Sequence, residues 1–161
     1  MTPLAWMLGV ILPACGAEGA AGLPPPVPMD MTRIERPATP NTFLAGPADL
    51  RPAPDAVVEP WPLPAPGLFA AAQAVIGRQP GVFVAGVFPD RLQAHYVVRS
   101  ALLNYPDLVT VQALPMGETG ATLVIWSRSV YGRRDFGVNK KRTEAWLAVL
   151  RQPVPRQPVP R

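Results

Sequence analysis

Ile125–Leu150, IWSRSVYGRRDFGVNKKRTEAWLAVL, passes from an apolar run through a polar, glycine-marked turn into a patterned helix. That succession decides the fold class. A strand gives way to a loop punctuated by Gly132 and Gly137, and helical spacing starts near Val138 or Asn139. Asn139 has the side-chain oxygen of an N-cap, and Lys140–Glu144 is an i,i+4 ion pair on an exposed face. Ala145, Trp146, Val149 and Leu150 form the stripe expected to bury.

Upstream, Leu108–Leu114 (LVTVQAL) alternates Thr110 and Gln112 against Val109, Val111 and Ala113. Met116-Gly117-Glu118-Thr119-Gly120 then reads as a hairpin loop into Ala121–Val130. His95–Leu103 (HYVVRSALL) is a further strand, stopped by Asn104-Tyr105-Pro106-Asp107, and a short one is expected over Val82–Val87. Such short connections favour an antiparallel meander. Ahead of the strands, Pro66–Gly77 reads as a helix with Pro66 in its first turn and Gly77 at its C-cap. Its stripe is Leu68, Ala72, Val75 and Ile76. The predicted fold is therefore α+β: a small, mostly antiparallel sheet of about four strands, with one helix before it and one after.

The flanks differ in composition. Of 161 residues, 48% are hydrophobic and 16% charged, and the 23 prolines cluster on either side of the patterned region. Residues 1–22 read as a signal, lipoprotein-like or anchor segment. Leu4–Leu12 is too short to cross about 30 Å of hydrocarbon but suits the apolar part of an export signal. Leu12-Pro13-Ala14-Cys15 resembles a bacterial lipobox, making Cys15 the expected lipidation site; Pro13 stands where a small residue is usual, and no Lys or Arg precedes the run. A plain cleaved signal and a retained anchor are the alternatives. The expected location is the cell envelope, on the periplasmic side of a membrane. Residues 23–64 read as a proline-rich, partly docked spacer, with Thr39–Leu44 its docking patch. Residues 65–151 form the α+β domain, and 152–161, which carry most of a twofold RQPVP repeat, a flexible tail.

A net charge of +4 and a pI near 9.8 permit contact with nucleic acid or anionic lipid. Aromatic residues are too sparse for the stacking surfaces of an RNA-binding module, so no nucleic acid is expected. One histidine and one cysteine offer no metal-ligand spacing, and no cofactor motif is present. A single cysteine excludes an internal disulfide. The sequence does not set the oligomeric state.

Arg99-Ser100, Tyr105-Pro106-Asp107 and Ser127-Arg128-Ser129-x-x-Gly132-x-x-Asp135-x-Gly137-Val138-Asn139-x-x-Arg142 together resemble a bacterial and plastid family known as domain of unknown function 1499. The likeness also takes in Pro40-Asn41-x-Phe43-Leu44 and Pro54-Asp55, and covers roughly residues 37–150. Members often carry an N-terminal hydrophobic anchor. The resemblance implies domain limits and no catalytic activity.

Two readings of the polar residues stand side by side. Arg99, Arg128 and Arg142 can meet Asp107 and Asp135 at one end of the domain and tie the sheet to the last helix, since a guanidinium fork matches a carboxylate. Alternatively Arg99, Arg128, Asp135, Asn139 and Arg142 form a pocket for an anionic ligand, helped by the helix N-terminus. Gly132 and Gly137 serve the turn's conformation, because no phosphate-loop pattern accompanies them. Ser127 or Ser129 with His95 and Asp107 or Asp135 is the triad that could be drawn, but no G-x-S-x-G elbow is present and no catalytic residue is assigned. The expectation is a non-enzymatic, membrane-tethered envelope protein that binds a partner or an anionic ligand. The alternatives are an enzyme using the same cluster and a structural assembly factor for a membrane complex.

Overall fold

Residues 18–152 are described by a computed structural model. Their strands are β1 (Thr42–Gly46), β2 (Ala56–Val57), β3 (Val82–Phe88), β4 (Gln93–Arg99), β5 (Pro106–Met116) and β6 (Gly120–Ser129). The two helices are α1 (Ala65–Ile76) and α2 (Val138–Leu150). All six strands join one sheet in the order β2-β1-β6-β5-β4-β3, antiparallel throughout except for the β1–β2 pair. The α+β class and the placement of the helices agree with the sequence. The strand number does not: six strands replace the expected four.

The extra pair comes from the proline-rich segment. Thr42–Gly46 is buried along most of its length, between β2 and β6. A strand covered on both faces shows no alternation, so its five residues between Pro40 and Pro47 carry no periodic signal. Asp55 ties the following loop to it: its carboxylate accepts from the Leu44 amide at 2.8 Å, and its own amide donates to the Leu44 carbonyl at 2.7 Å.

The β3–β6 meander follows the expected hairpins, and the β5–β6 turn closes at Met116↔Gly120. β4 stops at Arg99 rather than Leu103. Residues 100–105 instead form a turn held by Ser100 and Tyr105, with Asn104 left-handed at φ 53°. Gly77 caps α1 through its amide on the Gln73 carbonyl, but at φ −65° its glycine freedom is unused.

Both helices cover one face of the sheet. Leu68, Phe69, Ala72 and Ile76 of α1 and Trp146 of α2 pack on Tyr96, Val109, Val111, Leu123 and Ile125. Val75, assigned to the α1 stripe, is only half-buried, and Phe69 takes its place. The α2 stripe is rotated from the predicted one. Asn139, Thr143 and Trp146 face inward, whereas Ala145 and Val149 are exposed. The reason is that the first inward-facing positions are polar and hydrogen-bonded, so an apolar-only pattern misplaces the face.

The opposite face is covered by the chain before β1, here termed the strap (residues 18–37). Met31 and Ile34 bury against Leu44, Leu50, Val124 and Trp126. Among the described residues, no helix is long and apolar enough to cross a membrane. Leu4–Leu12, Cys15 and the tail from residue 153 lie outside the described residues.

Candidate functional site

β6 places consecutive side chains on opposite faces, so Ser127 and Ser129 point beneath α2 while Arg128 points to the strap side. That parity divides the polar residues of the sequence into two groups.

The first group lies under the start of α2. Asn139 is fully buried and sits at its centre. Its Nδ2 donates to the Asn41 carbonyl at 3.1 Å, to Ser129 Oγ at 3.0 Å and to Asp135 Oδ2 at 2.8 Å. Its Oδ1 accepts from Ser127 Oγ at 2.5 Å and from Arg142 Nη1 at 3.0 Å. Arg142 also reaches Ser127 Oγ at 3.1 Å, and its Nη2 donates to Asp107 Oδ2 at 2.5 Å. The Asp107–Arg142 side chains are only 12% and 10% exposed, so this is a nearly buried, charge-assisted bond.

Asp135 turns to backbone amides rather than to an arginine. It accepts from Gly137 N at 3.1 Å and Asn139 N at 3.0 Å, so Asp135, not Asn139, satisfies the free N–H groups of the helix start. The N-cap position is Gly137, at φ 79°. Burial alone would raise the Asp135 carboxyl; the Asn139 and Gly137 amides and the Asn139 side chain outweigh it and hold the group below the ordinary carboxylate value. Asn41 closes the ring, with Nδ2 on the Gly132 carbonyl at 2.8 Å and Oδ1 accepting from Thr39 Oγ1 at 2.8 Å. Gly132, at φ 83°, supplies the left-handed bend this loop needs. One turn further along, Thr143 Oγ1 is buried without a partner among the described residues.

The second group lies on the strap side. Arg99 donates from Nε to the Gly19 carbonyl at 3.0 Å, from Nη2 to Ala21 O at 3.2 Å and from Nη1 to Asn104 O at 3.1 Å. Gln93, fully buried, takes both backbone groups of Met29: its Oε1 accepts the amide at 2.8 Å and its Nε2 donates to the carbonyl at 2.9 Å. Arg36 completes the attachment with a forked pair to Asp55 at 2.9 and 3.0 Å and a bond to Ala53 O at 2.7 Å. These side chains fasten the strap, and Thr110 Oγ1 adds a bond to Met29 Sδ at 3.3 Å. Gln93 and Arg36 were not singled out in the sequence; the signal available for Gln93 was its shared strand parity with His95 and Arg99.

Between strap and sheet lies a cavity of about 380 Å³, walled by Leu23, Pro25, Val27, Met29, Val97 and Leu108, with His95 and Arg128 among its polar lining. A second concavity, of about 450 Å³, is lined by Arg33, Glu35, Trp126 and again Arg128. The exposed Arg128 guanidinium has no hydrogen-bond or ion-pair partner among the described residues. His95 contacts Gln93 Oε1 through Nε2 at 3.0 Å and the Phe88 ring edge, and burial lowers its pKa from the ordinary value.

Of the five residues assigned to one anion pocket, Asp135, Asn139 and Arg142 meet under α2, while Arg99 and Arg128 lie across the sheet. The drawn triad does not form either, because Ser127 and His95 face opposite sides. Among the described residues, no three His, Cys, Asp or Glu side chains gather to hold a metal ion. A family model described as "Protein of unknown function (DUF1499)" matches residues 34–150, which contain the whole sheet and both helices. Comparison with curated proteins yields no match.

Proposed function

This chain belongs to the DUF1499 family of proteins of unknown function, and from that premise we propose that it is a non-enzymatic, membrane-tethered binding protein of the cell envelope whose ligand is anionic and contacts Arg128. The observation carrying this reading is the Arg128 guanidinium, which has no partner among the described residues, on the wall shared by two concavities. An arginine with its fork unoccupied is the side chain suited to a carboxylate or phosphate. The adjoining cavity, about 380 Å³ and mostly apolar, falls within the range of about 300–1,000 Å³ typical of small-molecule sites. One cation beside apolar walls favours an amphiphile with an anionic head. Asp107, Asp135, Asn139 and Arg142 serve as scaffold, since each bonds to another of the four, to Ser127 or Ser129, or to the backbone. The tether is the N-terminal segment containing Leu4–Leu12 and Cys15.

Thermal-shift titration with decanoate tests the site. Decanoate is expected to raise the melting temperature of the wild type and to leave that of Arg128→Ala unmoved, while both proteins melt alike without it. Inorganic phosphate, which lacks the apolar body, is expected to act more weakly. Equal decanoate shifts in wild type and variant would remove Arg128 from the site.

A further inference from the structure

We propose that the end of the domain formed by the 100–105 and 130–137 loops is a membrane-docking surface for an anionic bilayer. Both loops leave the sheet at the same end, because Arg99 pairs with Pro106 and Asp107 with Ser129. The Tyr105 and Tyr131 rings, 6.1 Å apart, bring the loops together. Their tips then turn large apolar side chains to solvent: Leu102 is 91% exposed and Phe136 89%, with Leu103 and Tyr105 also exposed.

Such residues at loop tips add nothing to the core. Phe136 moreover adopts φ +53°, an uncommon region for a bulky residue, and buries nothing in return. The exposed Arg133 and Arg134 stand three and two residues before it, with Asp135 between. Of the nearby carboxylates, Asp107 at the start of β5 is paired with Arg142, and Asp135 keeps its charge but is turned to backbone amides. The surface therefore offers apolar tips beside two arginines that outnumber the one carboxylate of their loop, the combination that partitions into the interface of an anionic leaflet.

The course of the chain points the same way. Arg99, at the end of β4, holds the Gly19 and Ala21 carbonyls and also the Asn104 carbonyl in the loop itself. The strap is therefore held beside this surface at Gly19, one residue after the described chain starts at Glu18. The apolar run Leu4–Leu12 lies only a few residues further upstream. A tether leaving from this end would hold these loops, and not the Met116–Gly120 hairpin at the far end, against the membrane.

The inference rests on the tethering proposed above, and one experiment separates the two. The full chain is placed in nanodiscs of phosphatidylcholine, with or without phosphatidylglycerol, and amide hydrogen exchange is followed by mass spectrometry. Peptides covering residues 100–106 and 131–138 are expected to exchange several-fold more slowly in the anionic discs, with residues 116–120 unchanged. Arg133→Glu with Arg134→Glu is expected to abolish that slowing while the chain stays in the disc. Disc-bound protein whose loops exchange alike in both lipids would overturn the docking surface and leave the tether standing. Chain that does not enter discs at all would overturn both. Protection that grows with protein concentration in phosphatidylcholine alone would assign the surface to a second copy of the chain instead.

Discussion

The two faces of the sheet are closed in different ways. Under α2, side chains bond to side chains: Asn139, Ser127, Arg142 and Asp107 form a buried network with few unmet groups. Beneath the strap, side chains bond mainly to the backbone of an extended segment, through Gln93, Arg99 and Arg36. An extended segment cannot satisfy its own amides, so its attachment depends on a few sheet residues and leaves space between them. Hence the crowded polar residues hold the fold, while the less conspicuous face retains cavities and an arginine without a partner among the described residues.

That contrast can be broken most sharply at Arg142. Arg142→Ala strands the nearly buried Asp107 carboxylate and is expected to cost about 3–5 kcal/mol in urea unfolding. A loss below about 1 kcal/mol would place the pair with ordinary surface ion pairs and undo the contrast. Replacing both partners, Asp107→Leu with Arg142→Met, should recover much of the loss, because no charge is then left alone.

A smaller and more local effect is expected on the other face. Gln93→Ala leaves the Met29 amide and carbonyl without their partner, costing about 1–3 kcal/mol. Limited proteolysis should quicken within residues 18–37, while exchange protection of β5 and β6 holds. Equal loss in strap and sheet would mean that the two faces unfold as one.

A pH effect should follow from His95. Its folded pKa lies below the ordinary value because burial disfavours the charged ring, so the unfolded chain binds the extra proton first. Stability should therefore rise with pH across the interval from the depressed folded value up to about 6.5, and be flat above it. His95→Phe should flatten this slope; an unchanged slope would locate the titrating group elsewhere. The smallest expected effect is that of Arg128→Ala on stability, within about 0.5 kcal/mol of wild type, since the guanidinium has no partner among the described residues to lose.

Much of the local structure was legible beforehand. The β5–β6 hairpin shows in the alternation of LVTVQAL and in Gly117 and Gly120, and α1 shows between Pro66 and Gly77. These features are set by neighbours in sequence, where side-chain period and turn chemistry act directly. Lys140–Glu144 is likewise a local pair, 3.9 Å apart as its spacing requires. β1 was not legible, because burial on both faces erases the alternation that marks a strand. The inward face of α2 was misplaced because Asn139 and Thr143 bury polar atoms where an apolar stripe was sought.

By itself the sequence determined the α+β class, the meander and its two helices, and the family signature running from Pro40 to Arg142. Only the tertiary structure decided which signature residues meet. Strand parity sends Ser127 under α2 and Arg128 to the strap, one residue apart and on opposite sides of the sheet. Whether a polar side chain is spent or available depends on its partners, and those partners, Asn41 for Asn139 and Asp107 for Arg142, lie 98 and 35 residues away. Spacing along the chain does not encode such contacts; the register of the folded sheet does.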